Sequence, residues 1–280
     1  MKAKKLFALL LILSLGCAGN PSYPSREKIS GNDLSRSDLR EIELGNQIHS
    51  TITSSFQIYT EPRLVGYINR IGKNIAKTAE RQDLTYRFTV LYDDRIYARG
   101  APGGFVYLTT GSLNFIENEA ELAAFIAHEI GELQYRDPQL STSRQNLDRL
   151  TQFVAMTGPF FGQIGVLAAS SLVLVNAMAE SRTLAFDERV QHADRKALGY
   201  LIQAGYDPQG YVHLLDRFLK ADAEWLPYLY DYLTSRFVTE ERYFWVVDEF
   251  EQLPLSGKSF SVNRERYLEL TKGVRQIFRQ

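Results

Sequence analysis

One cysteine in 280 residues leaves no partner for a disulfide, and its position, Cys17, lies far from any stretch with site character. A cysteine nucleophile working from the folded body is thereby excluded. No excess of positive charge exists either. The formal net charge is -1, and loss of the three lysines in the first sixteen residues takes it to -4, which argues against nucleic-acid binding. No internal repeat of solenoid length is present. From Leu150 to Ala179 the chain carries no charged residue at all, although Gln152, Gly158, Pro159, Gly162, Gln163, Gly165 and Asn176 interrupt the apolar run. Such interruptions are costly in lipid, so a helical hairpin bent at Gly158-Pro159 and packed as a lid is favoured over membrane insertion.

At the N-terminus, Lys2, Lys4 and Lys5 precede the apolar run Leu6 to Leu15, which is too short for a permanent membrane span. Residues 1–16 read as a removable leader. Its end, Ser14-Leu15-Gly16-Cys17, resembles a bacterial lipoprotein signal, in which cleavage frees the cysteine to carry lipid. Cys17 is thus the expected lipid attachment site, and several acyl chains on it would give stable anchorage. Ala18 after it resembles lipoproteins sent to the outer membrane. The Pro, Ser, Gly and Asn content of residues 17–36 predicts a tether.

The chemical content concentrates in Asn118 to Asp137, NEAELAAFIAHEIGELQYRD. Asn118 as N-cap, Glu121 three residues later and Asp137-Pro138 as a stop predict one helix. Leu122, Phe125, Ile126, Ile130 and Leu133 give it a buried stripe at helical spacing. Beside that stripe stand His128, Glu129 and Glu132. Histidine followed by glutamate on a helix opens the H-E-x-x-H zinc signature, where two imidazoles four residues apart hold the metal and the glutamate activates water. Here the order is H-E-I-G-E, so Glu132 replaces the second imidazole. By itself this short pattern is equally that of a helix with an acidic solvated side.

Around it, helices are expected over Ser37 to Ser55 and Pro62 to Arg81, with His49 at the surface of the first. Strands are expected over Tyr86 to Tyr92 and Phe105 to Thr109, and Arg182 to Ala204 reads as a further helix ended by Gly205. Phe105, Val106 and Tyr107 are the candidate edge strand for pairing with an extended peptide. Tyr211 to Ala221 is amphipathic, with His213 structural. The expected class is α+β, mostly helical, with a small antiparallel sheet.

Three motifs in order, A-x-G-A-P-G-G-F-V-Y-L-T-T-G-S-L, N-E-A-E-L-A-A-F-I-A-H-E-I-G and A-D-R-K-A-L-G-Y-L-I-Q-A-G-Y-D-P, resemble the CAAX-prenyl-endopeptidase-like zinc metallopeptidases. The similarity is to their periplasmic lipoprotein branch, over roughly residues 37 to 250. That resemblance implies a zincin-like domain over 37–250, a C-terminal extension over 251–280, zinc as cofactor, and unfolded or assembling outer-membrane proteins as partners. It also implies Glu129 as general base, Asp194 as proton donor, Arg242 on the oxyanion or substrate, and His128 and Glu132 as metal ligands.

Two departures from the family pattern stand out. The third ligand should be a glutamate four residues before Asp194, where this chain has Val190. His192 is nearby, but two residues is roughly 200° of helix rotation, which turns it from the face of Val190 and Asp194. It serves as a ligand only through a bulge or register shift. Where relatives place a histidine before proline, this chain has Arg236, a fixed cation suited to replacing the metal among Glu129, Glu132 and Asp194. Two readings stay open: a metallopeptidase with an altered, oxygen-rich site, and a non-hydrolytic relative that binds its clients in the same cleft.

Overall fold

In the computed structural model, the described residues are 35–134, 188–221 and 240–278. The leader, Cys17, the tether up to residue 34, the charge-free segment 150–179 and Arg236 lie outside them; the last two tether positions, Ser35 and Arg36, instead cap and begin α1. Nine helices and three strands are found among the described residues: α1 (Arg36–Ser55), α2 (Pro62–Ala76), β1 (Arg87–Leu91), β2 (Ala98–Ala101), β3 (Phe105–Thr109), α3 (Thr110–Phe115), α4 (Glu119–Leu133), α5 (Glu188–Ala204), α6 (Gln209–Leu219), α7 (Glu240–Glu251), α8 (Arg264–Leu270) and α9 (Lys272–Ile277). The mostly helical α+β class expected from the sequence is the class observed.

The sheet is mixed rather than antiparallel. Its order is β1-β3-β2, with β1 parallel to β3 and β2 antiparallel to it. The cause is local: Pro102–Gly104 forms a tight 3₁₀ turn with Gly103 and Gly104 at positive φ, which folds β2 back onto β3. That hairpin then docks on β1 through β3. Phe105, Val106 and Tyr107 therefore lie in the central strand, fully buried, with both hydrogen-bonding sides taken. The expectation that they form a peptide-binding edge is overturned, and the outer strand beside α4 is β2.

Alternation along the strands splits the core. Phe88, Val90, Ala98, Val106 and Leu108 pack with α2 and α4, whereas Leu91, Ala101, Phe105 and Tyr107 meet Leu44, Ile48 and Ile52 of α1. His49 is not simply a surface residue. Its ring stacks on Phe105 at 4.6 Å and its Nδ1 lies 3.0 Å from the Tyr107 hydroxyl. Burial, then Arg87, lowers its pKa.

Arg81 fixes α1 to the end of α4. Its guanidinium donates to both oxygens of Glu41 at 2.9 Å, to Asp83 at 2.9 Å and to the Leu133 carbonyl at 3.3 Å. The segment after α7 folds back as well. Val262 O accepts from Glu119 N at 3.1 Å, and the buried Tyr267 donates to Leu113 O at 2.7 Å, so residues 261–278 brace the start of α4.

Helices α4 and α5 cross closely at Gly131. A Cβ there would stand 2.7 Å from the carbonyl oxygen and 3.1 Å from the Cα of Ala193. On an exposed helix, Gly→Ala stabilises by roughly 1 kcal/mol. Here Gly131→Ala is expected to destabilise by about 1–3 kcal/mol, because the crossing must open. A lowered urea midpoint with an unchanged denaturant slope is the measurement; a raised midpoint would show that the helices are not held together at this point.

Candidate active site

Helix α4 begins where its cap residue places it. The Asn118 side chain accepts from Glu121 N at 2.9 Å, and Glu121 in turn accepts from Glu117 N and the Asn118 amide. From that start, about three turns on, His128 and Glu129 arrive in the interior, 2% and 0% exposed.

Glu129 points at β2, where its Oε2 accepts the Gly100 amide at 2.7 Å. Only glycine suits position 100, because a Cβ would come within 2.9 Å of the Glu129 carbonyl and 3.1 Å of Leu133 Cγ. The sheet edge and the active-site helix are thus tied through the carboxylate that the H-E pattern marks as a base.

His128 has a carboxylate at each nitrogen. Nδ1 lies 2.7 Å from Asp194 Oδ1, and Nε2 faces Glu132 Oε1 at 3.7 Å. The shorter contact assigns a proton to Nδ1, donated to Asp194. Burial alone lowers the imidazole pKa, but the interactions of the ring with the accepting carboxylates of Asp194 and Glu132 outweigh it and the net shift is upward. Asp194 is completely buried on α5 and is gripped by Arg242 of α7: Nε to Oδ2 at 2.8 Å and Nη2 to Oδ1 at 2.7 Å. Burial raises the Asp194 pKa, yet the Arg242 and His128 charges win and hold it far below the usual carboxylate range.

A fourth member was not singled out from sequence. Tyr211, two residues into α6, donates its hydroxyl to Asp194 Oδ1 at 2.6 Å and lies 3.0 Å from both His128 Nδ1 and Arg242 Nη2. Its place inside an amphipathic stripe gave no sign of this. The only clue available was the Gly before it: Gly210 packs on Ala120, with a Cβ position 2.8 Å from the Ala120 carbonyl carbon, which draws α6 against α4.

The structure thus brings together His128, Glu129, Glu132, Asp194 and Arg242. It does not bring in His192, which is exposed, while its neighbours Ala193 and Asp194 are buried. The helical period is kept through this stretch of α5, without the bulge that a ligand role requires. Its pKa is lowered, by burial and then by Lys196. Arg242 is committed to Asp194, and Asp194, held as a carboxylate, has no proton to give.

Zinc needs three protein ligands in a catalytic site. The described residues offer His128 Nε2 and Glu132 facing each other, and α5 presents Val190 where a third donor should stand. Among the described residues no group of three or more histidines, cysteines or acids is arranged to hold a metal. Among those residues the donor set does not fit a catalytic zinc ion.

The pattern of Peptidase family M48 matches residues 62–251. The chain is a member of peptidase family M48. Among curated proteins, this M48 chain is similar to the beta-barrel assembly-enhancing protease of Escherichia coli (strain K12), 25% identical over 183 residues that cover 64% of this chain and 38% of the relative. The protein of the same name from Yersinia pestis is 27% identical over 185 residues, 64% of this chain and 37% of the relative. The putative beta-barrel assembly-enhancing protease of Vibrio cholerae is 24% identical over 188 residues. This M48 chain therefore matches less than two-fifths of the length of these relatives.

Removing the Asp194 charge leaves the Arg242 guanidinium buried without its partner. Asp194→Asn is expected to cost about 3–5 kcal/mol at pH 7, measured by chemical denaturation. A depressed folded pKa makes the Asp194 contribution present above the unfolded value, near 4, and lost as pH falls through the folded value. The gap between wild type and Asp194→Asn should accordingly narrow below about pH 4. A gap constant through that range would mean that the ion pair is not the source.

Proposed function

We propose that this M48 chain is a periplasmic lipoprotein, anchored through Cys17 to the outer membrane, that acts on misfolded or assembling outer-membrane proteins with zinc hydrolysis weakened or abolished. In this reading the cleft beside α4 and β2 holds an unfolded client, and binding rather than cleavage is the contribution. The client class rests on the relatives' shared name, and the location on the leader and Cys17.

The observation that carries the loss of hydrolysis is the state of α5. Val190 supplies no donor toward His128 and Glu132, and Asp194, one turn on, is consumed by Arg242, Tyr211 and His128. A buried carboxylate with its acceptor capacity spent on a guanidinium, a phenol and an imidazole does not swing away to join a metal without stranding Arg242.

One observation favours the second reading, residual hydrolysis. His128 keeps the arrangement common in metal ligands, one ring nitrogen donating to a carboxylate and the other turned outward, and Glu129 keeps its place beside it. In that reading His128 and Glu132 would hold a metal ion, whose chemistry is to activate water, and Glu129 would serve as the base.

Metal content separates the two. Protein made in zinc-replete medium is expected to retain well below one zinc per chain and to leave casein intact. The double substitution Glu132→His with Val190→Glu rebuilds two imidazoles and one carboxylate, and is expected to approach one zinc per chain. Stoichiometric zinc in the unaltered protein, with casein cleavage lost in Glu129→Gln, would overturn the proposal in favour of the peptidase.

A further inference from the structure

Helix α2, PRLVGYINRIGKNIA, contains no acidic residue. Its buried stripe, Leu64, Tyr67, Ile68, Ile71 and Ile75, packs into the main core, where β1 and α4 also contribute. The opposite stripe is exposed at Arg63, Gly66, Arg70, Lys73 and the C-capping Lys77. Those positions advance by three and four residues, so they form one line along the helix, roughly 20 Å long at 1.5 Å per residue. Apart from Gly66, every residue of the line is a cation.

Neighbouring acids hardly neutralise it. Arg63 meets Glu269 at 3.5 Å, with both side chains more than 70% exposed, a geometry of little energetic weight. Glu61 spends its oxygens on the Arg63 and Leu64 amides as the N-cap. Arg70 lies 5.2 Å from the centre of the Tyr67 ring, and Arg266 of α8 lies 5.6 Å from the same centre. Tyr67 thereby gathers a fifth cation beside the line. Its hydroxyl donates to Glu119, which is 2% exposed and turned inward. Among the described residues, Arg70, Lys73, Lys77 and Arg266 form no ion pair.

Five cations thus gather on and beside one helix face in a chain whose formal net charge is -1, which suits an anionic partner. The only aromatic residue of α2, Tyr67, is buried, so the helix offers no exposed ring for bases to stack on, which disfavours a nucleic acid. A basic face on an amphipathic helix suits a plane of phosphate headgroups. We propose that the α2 ridge, with Arg266, docks on an anionic phospholipid surface, fixing how the folded body lies against the bilayer. This is independent of whether the α4 site hydrolyses peptides.

The test uses the full chain carrying Cys17→Ser, so that no acyl group contributes, titrated with vesicles of phosphatidylglycerol and phosphatidylethanolamine and, separately, of phosphatidylcholine. Each cation near an anionic surface contributes about 1 kcal/mol. The triple substitution Arg70→Gln, Lys73→Gln and Lys77→Gln should therefore reduce partitioning onto the phosphatidylglycerol vesicles by roughly a hundredfold. It should leave the phosphatidylcholine value unchanged. A second triple variant with the same loss of charge elsewhere, Lys258→Gln, Arg264→Gln and Lys272→Gln, should stay within a few-fold of the parent, and thermal melts confirm that both variants are folded. Equal losses in the two triples would reduce the effect to net charge and overturn the ridge. An unchanged value in the α2 triple, or preference for a duplex DNA competitor over the anionic vesicles, would overturn it as well.

Discussion

The bidentate contact between Arg242 and Asp194 is the interaction on which the centre of this molecule depends. Both groups are almost wholly removed from water, on different helices, and each would be untenable there alone. Once they meet, the remaining geometry follows. Asp194 Oδ1, besides the Arg242 Nη2 donor, also accepts from the His128 ring and the Tyr211 hydroxyl, so four helices, α4, α5, α6 and α7, converge on one carboxylate. In a metal site a buried ring of acids is balanced by the ion. Here an arginine provides balancing charge from within the chain, and the expectation that Arg236 performs that role concerns a residue outside those described.

This arrangement explains how an M48 scaffold keeps its shape after losing donors. The zinc signature asks α4 and α5 to lie close, with side chains aimed at a common point. Close approach is secured independently by Gly131 against Ala193 and by the contact of the His128 ring with Asp194, one residue along α5. Neither requires a metal.

Much of the centre was legible in the sequence because it is local. The Asn118 cap and the apolar stripe located α4, and the 3.6-residue period turned His192 away from the face of Asp194; in the structure His192 is exposed. The mostly helical class was legible for the same reason. What escaped was everything set by distant pairing. Alternation marks a strand but says nothing of its neighbours, so the central place of β3 was missed and an edge was read in its stead. Tyr211 sits 83 residues from the ring it touches. His49 looked solvated because its own helix is polar around it, while its partners Phe105 and Tyr107 come from the sheet. Residues 251–280 were expected only as a C-terminal extension, yet Tyr267 and Val274 are among the most buried residues described. The basic line on α2 was present in the letters, but its freedom from acidic partners is a property of the folded surface.

The central proposal is that this M48 chain acts on polypeptide with zinc hydrolysis weakened or abolished. The most direct measurement incubates the purified full chain with an unfolded outer-membrane β-barrel protein and excess zinc, then follows complex formation and client length by size-exclusion chromatography and mass spectrometry. The account expects the client to elute with the chain at full length. Accumulation of client fragments that disappears with Glu129→Gln would contradict it.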